Sequence, residues 1–157
     1  MTERKIEKAT LNTDGGSRGN PGESGIGFII RIDADSSSEV VCRGGAYIGT
    51  ATNNIAEYRA LIWGLRNAAA LGVKRIEVLA DSELMVKQVR GEYKVKNEGI
   101  KPLFVEVLQL LRGFESFAVG HVLRAENAAA DELANQAMDE KASVGDYLVD
   151  FESNELF

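Results

Sequence analysis

The chain contains one cysteine, Cys42, so an internal disulfide is excluded and a reducing, cytoplasmic compartment is expected. It contains one histidine, His121, and a lone histidine at a strand end is more often structural than catalytic. It has no excess of positive charge: 18 Lys and Arg stand against 24 Asp and Glu, for a net charge of −6 and a pI of about 4.9. That balance argues against a protein that holds nucleic acid through bulk cationic charge, but it leaves room for a local basic patch. No apolar run is long enough to span a membrane, and the opening Met1–Glu7 has no apolar h-region, so neither a membrane anchor nor a signal peptide is expected. There is no internal repeat. What remains is ordinary globular composition, 45% hydrophobic and 27% charged over 157 residues, enough for one domain with a full core.

Hydrophobic periodicity orders that domain. Ile6 to Thr13, Ile26 to Ile32 and Val40 to Tyr47 read as three strands, with a turn over Asp33–Ser38. The stretch from Gly15 to Gly25 is dense in glycine and reads as turn or loop. The period then changes. Asn54 to Leu71 reads as a helix, Arg75 to Ala80 as a strand and Ser82 to Arg90 as a second helix. A third helix runs from about Pro102 to Arg112, Phe117 to Val122 is a fifth strand, and Ala128 to Lys141 is a last helix. The order βββαβααβα predicts an α/β fold with a five-stranded mixed sheet, the later strands running parallel because helices connect them. Residues 1–141 are expected to form the domain. Residues 142–157, with Asp146, Asp150, Glu152 and Glu155, are expected to be a loosely attached acidic tail.

Four acids stand at element ends or on apolar faces: Asp14, Glu57, Asp81 and Asp131. Each has a plain alternative. Asp14-Gly15-Gly16 is a common turn. Asn54 and Glu57 can form a capping box. Asp81-Ser82 can be an N-cap pair, and Asp131 can complement a helix dipole. Glu57, however, lies on the same helical face as Ala60, Leu61, Gly64 and Leu65, where an unpartnered carboxylate is costly to bury. Strand ends and helix starts can converge at one sheet edge, where ligands bind in α/β folds. Converging acids repel unless a cation sits between them.

The chain resembles ribonuclease H of type 1. The resemblance rests on Thr13-Asp14-Gly15-Gly16-Ser17, Gly19-Asn20-Pro21-Gly22, Thr52-Asn53-Asn54-Ile55-Ala56-Glu57, Ala80-Asp81-Ser82, His121-Val122-Leu123-Arg124 and Ala130-Asp131-Glu132-Leu133-Ala134, over about residues 6 to 141. It implies the family's sheet flanked by helices, and hydrolysis of the RNA strand of an RNA–DNA hybrid to 5′-phosphate and 3′-hydroxyl ends. It implies Asp14, Glu57, Asp81 and Asp131 as ligands of two Mg²⁺ ions about 4 Å apart, with Mn²⁺ as a substitute. His121 is implied as the assisting side chain, with Arg124 as the alternative. Asn20, Asn53 and Asn54 are implied as readers of sugar hydroxyls, helped by the Gly15-Gly16 main chain, and Thr52 as part of a phosphate pocket.

Two departures matter. Glu83 follows Asp81-Ser82 where many relatives have a polar amide, and a full basic protrusion is missing between the middle helices. Lys87, Arg90 and Lys94, at i, i+3 and i+7, offer a small basic stripe in its place, as does Lys96 beyond them, although a solvated helix face explains them equally well. A free-standing monomer with no obligate protein partner is expected. The competing readings are a same-fold nuclease acting on double-stranded RNA or DNA junctions, a non-catalytic nucleic-acid-binding domain, and a nucleotide binder. The last lacks the Gly-Lys-Ser/Thr ending of a P-loop.

Overall fold

A computed structural model describes residues 6–34 and 37–152. The centre of the turn expected at 33–38 lies outside the described residues. Six strands and four helices follow one another: β1 (Lys8–Arg18), β2 (Gly22–Ala34), β3 (Ser37–Ala51), α1 (Asn53–Ala70), β4 (Arg75–Ala80), α2 (Glu83–Val89), α3 (Lys101–Arg112), β5 (Ser116–His121), α4 (Ala128–Glu140) and β6 (Val144–Asp146). A 3₁₀ turn, Arg124–Asn127, leads into α4. The sheet order is β5-β4-β1-β2-β3-β6. β1, β2 and β3 pair antiparallel, and β4 and β5 join β1 in parallel, as the connections predict. Among the described residues no helix is long and apolar enough to cross a membrane.

The glycine-rich stretch is not a loop. β1 continues five residues past Thr13 to Arg18, and β2 starts at Gly22, leaving only Gly19–Pro21 as the turn. The glycines inside the strands serve close approach instead of turning. Asp14, Gly27 and Gly45 are paired across three strands. A methyl on Gly27 would collide with the Ala130 carbonyl oxygen, and one on Gly45 with the Leu133 carbonyl, so α4 lies directly on this part of the sheet. The next residue, Phe28, points to the opposite face, where its ring meets Trp63 of α1 edge-on at 4.7 Å. On that face a methyl on Gly15 would collide with the Ala56 carbonyl. Helices therefore sit on both sides of β1 and β2, and the strand glycines set how close they come.

The expected five strands become six. β6 is three residues long and pairs with Arg43–Gly45 of β3. So short a segment carries no period of its own. The loose attachment expected after residue 141 does not hold as far as Phe151. The Trp63 indole N–H donates to the Val149 carbonyl at 2.6 Å, and Asn67, wholly buried, accepts from the Leu148 and Val149 N–H groups at 2.8 and 3.0 Å. Tyr147 and Phe151 meet the Trp63 ring edge-on. The packed unit thus extends past the boundary expected at 141.

Gly27→Ala is expected to lower unfolding free energy in urea by about 1–3 kcal/mol, the usual effect of overpacking. Gly120→Ala, whose new methyl would meet Leu79 at an ordinary 3.4 Å, should change it by no more than about 0.5 kcal/mol.

Candidate metal centre

β4 is parallel to β1 with Ala80 opposite Thr13, so Asp81 and Asp14 emerge from neighbouring strands at the same sheet edge. Ser82 supplies the cap of α2 by accepting from the Met85 N–H at 3.2 Å. The Asp81 carboxylate is not needed there and is left for the cleft. Glu57 arrives from the opposite face on the second turn of α1. The capping box that was the alternative for Glu57 does not form: the N-cap is Thr52, whose hydroxyl oxygen accepts from the Ile55 N–H at 3.2 Å. Glu57 instead accepts from the Gly15 N–H at 2.6 Å, across the contact that the missing Gly15 side chain makes possible. Its second oxygen, Oε2, is buried without a hydrogen-bond partner.

Asp14, Glu57 and Asp81 each present a carboxylate oxygen, all within 4.8 Å of one another. Asp131, in the first turn of α4, lines the same cleft and helps to raise the Asp14 carboxyl, while lying outside that group of three. Its place near the helix start also satisfies the dipole reading. Burial, the Glu57 charge and Asp131 push the Asp14 carboxyl up to about 10, with the Asp81 charge adding to them. Burial pushes Glu57 up to about 7, with the Asp81 charge adding and the Gly15 N–H opposing. Such groups cannot all carry charge in a dry pocket unless a cation is present. The orphaned Glu57 Oε2 and an all-carboxylate donor set fit a hard divalent ion, which prefers oxygen ligands.

The cleft has a volume of about 550 Å³ and also takes in Gly15, Gly16, Asn53, Ser82 and Arg124. A side chain at Gly16 would meet only Asn53 Oδ1, at 4.0 Å, so this main chain is open to a ligand. Asn53 accepts from the Ser17 N–H at 2.8 Å, and Asn20 accepts from the Asn53 N–H at 3.1 Å. Both carboxamide oxygens are thereby used internally, which leaves the NH₂ groups as donors. Asn54 is half-buried at the start of the same helix. Arg124 is exposed, lines the cleft and makes no ion pair among the described residues. His121 ends β5 beside Ala80, and its Nε2 lies 3.3 Å from the Asp81 carbonyl oxygen, outside the cleft lining. Of the two, Arg124 lines the cleft and His121 stands beside Asp81.

The basic stripe does not form as spaced. α2 ends at Val89, so Lys94 is not on the helix that carries Lys87. Lys87 pairs with Glu83 at 2.8 Å and Arg90 with Glu92 at 2.9 Å.

Three residues near the acids are given no role by the sequence reading, although Asn127 belongs to the motif that begins at His121. Asn12 Nδ2 donates to Asn127 Oδ1 at 3.1 Å, and Asn127 Nδ2 donates to the Thr13 carbonyl at 2.8 Å, which ties the entry of α4 to β1 beside Asp14. The available signal was Asn12 itself, a polar residue in an apolar-alternating strand. Arg18 is the third. It lines the cleft and stands four residues after Asp14 in a stretch otherwise singled out.

A profile of the reverse-transcriptase-like family matches residues 12–137. The bifunctional protein Rv2228c of Mycobacterium tuberculosis is 45% identical over 135 residues, covering 86% of this chain and 36% of that protein. Ribonuclease HI of Halobacterium salinarum is 42% identical over 127 residues, covering 81% of this chain and 62% of that one. A ribonuclease H of Hydrogenovibrio crunogenus is 33% identical over 149 residues, 86% of this chain and 98% of its own. The chain thus spans about a third of the mycobacterial relative and less than two thirds of the halobacterial one. Among solved structures, the N-terminal RNase H domain of Rv2228c superposes with a TM-score of 0.80 at 45% identity, covering 85% of this chain and 95% of that one. LC11-RNase H1 in complex with an RNA/DNA hybrid superposes with a TM-score of 0.78 at 40% identity, covering 85% and 98%.

A carboxyl whose folded pKa lies above its unfolded value binds more protons folded than unfolded. The contribution of these two carboxyls to metal-free stability is therefore fully present below their ordinary values of 3.8 for Asp14 and 4.5 for Glu57. It should fall as pH rises through about 7 for Glu57 and toward about 10 for Asp14. Thermal melts in chelator should show that decline. Asp14→Asn should melt higher than the parent at pH 8 in chelator, and added Mg²⁺ should raise the parent's Tm more at pH 8 than at pH 5.

Proposed function

We infer, because this chain belongs to the type 1 ribonuclease H family, that it hydrolyses the RNA strand of RNA–DNA hybrids and leaves 5′-phosphate and 3′-hydroxyl ends. The observation that carries the reading is the meeting of Asp14, Glu57 and Asp81 at one sheet edge, with a buried Glu57 oxygen left unpartnered. In this reading Asp14, Glu57 and Asp81 hold divalent cations, with Asp131 completing a site for two. Mg²⁺ is the natural occupant and Mn²⁺ a substitute. Held by these carboxylates, divalent ions would supply charge neutralisation at the phosphoryl oxygens, a more acidic water and stabilisation of the leaving oxygen.

The chain's own groups do the rest. The Gly15 N–H holds Glu57 in place from below, and the Asn127 carboxamide holds α4, and with it Asp131, against β1. The NH₂ groups of Asn20, Asn53 and Asn54 donate to 2′-hydroxyl oxygens, the feature that separates RNA from DNA. The Gly15–Gly16 main chain lies along the sugar. The Thr52 hydroxyl, whose oxygen caps α1, keeps its O–H free to donate to a phosphate of the DNA strand. Arg124 reaches the scissile phosphate, and His121 assists from the Asp81 side. Lys87, Arg90 and Lys94 give a weak outer contact with the hybrid backbone, since two of the three are already paired with acids. A monomer in the cytoplasm belongs to the same reading, and Cys42 is buried as a free thiol.

Cleavage of an end-labelled hybrid in Mg²⁺ tests this. Asp14→Asn should lower kcat/KM by at least about 10³-fold, on the order of 4 kcal/mol of transition-state stabilisation, and chelator should abolish cleavage by the parent. Equal rates for parent and variant would remove the carboxylates from the chemistry.

A further inference from the structure

A polyanion must enter a cleft built around four acids, on a protein whose net charge is −6. Cations are needed at the cleft itself, and the stripe on α2 does not supply them: Glu83 engages Lys87, and Glu92 engages Arg90. Among the described residues only two cationic side chains line the cleft, Arg124 and Arg18.

We propose that Arg18, steadied by Asn135, grips a phosphate of the cleaved strand one to two nucleotides from the scissile bond. The proposal rests on the reading of the cleft as a hybrid-binding site, and adds to it a contact on the side of the acids away from Asp81. Asn135 follows Asp131 by one turn of α4 and donates to the Asp131 carbonyl at 3.0 Å. Its Oδ1 accepts from Arg18 Nη2 at 3.4 Å, and the same guanidinium nitrogen lies 2.8 Å from Asp139 Oδ1. The side chain is thus carried from the end of β1 onto α4, one to two helical turns, or about 6 to 12 Å, beyond Asp131. Successive phosphates of a strand lie farther apart than the axial rise of about 3.4 Å per nucleotide, so that offset spans one or two phosphates.

The present partner is exchangeable. The side chains of Arg18 and Asp139 are 45% and 66% exposed, and an ion pair so open to water adds little to stability. A phosphate offers the same planar fork two oxygens, a stronger match than one carboxylate oxygen in solvent. Asn135 keeps the guanidinium oriented while the acid is exchanged for the phosphate.

Steady-state cleavage of a hybrid tests the contact, with each variant's Tm measured alongside. Arg18→Ala should raise KM about five- to tenfold, with the loss falling on KM rather than kcat, and should lower the slope of log affinity against log salt by about one. Arg18→Lys should recover part of the loss. Asp139→Asn should not raise KM; if it reproduces the effect of Arg18→Ala, Arg18 is a tie between β1 and α4 and the proposal fails. A neutral methylphosphonate placed one or two nucleotides from the cut should weaken the parent by a similar factor and leave Arg18→Ala little further affected. Penalties that simply multiply would overturn the contact. A parent that does not cut hybrids at all would instead overturn the proposed activity, which the comparison of Arg18→Ala with an active parent leaves standing.

Discussion

Two missing side chains hold this site together. Gly15 lets the Ala56 carbonyl of α1 rest on β1, and Gly27, paired with Asp14, lets the Ala130 carbonyl of α4 rest on β2 from the other side. Each contact delivers the next residue along its helix, Glu57 or Asp131, to the strand that carries Asp14. A single Cβ at either position would push a helix outward, and carboxylates that must act within a few ångströms do not tolerate such a shift. The parallel pairing of β1 with β4 then brings in Asp81 without any side-chain contact. The convergence of the acids is therefore a consequence of backbone packing.

The site opposes the stability of the fold that builds it. Burial and mutual repulsion raise Asp14 and Glu57 far above ordinary carboxyl values, so the metal-free protein meets the strain by holding protons. The surrounding structure bears that load through neutral bonds: the Gly15 N–H to Glu57, and the Asn12–Asn127 pair under the entry to α4. These hold the carboxylates in place whether or not they are charged, so a cation meets a formed site and need not organise one.

Much of this was legible in residue order. Alternation gave the strands, and Arg75–Ala80 falls at its expected bounds. Glu57 betrayed itself by sharing a face with Leu61 and Leu65. Glycine was misread, because a turn and a helix seat demand the same residue: Gly15 and Gly25 look alike in sequence whether the chain bends there or another backbone presses on it. Thr52, rather than Asn54, caps α1 because the chain leaves β3 one residue after Ala51, a tertiary fact. The spacing of Lys87, Arg90 and Lys94 assumed a helix that Gly91, at a φ of +81°, terminates. β6 is specified by its partner strand, and the segment after it by Trp63 and Asn67, all far away in the chain.

The docking of the segment around Val149 has an optical corollary. Trp63 is the sole tryptophan of the chain, it is almost wholly buried, and its indole N–H is committed to the Val149 carbonyl between the rings of Tyr147 and Phe151. Tryptophan emission from this protein, excited selectively over its four tyrosines, is therefore a single-site signal. It reports whether the last strand and its following turn are seated on α1, a junction separate from the carboxylates, so that fraying of the chain end and loading of the cleft can be followed through different observables.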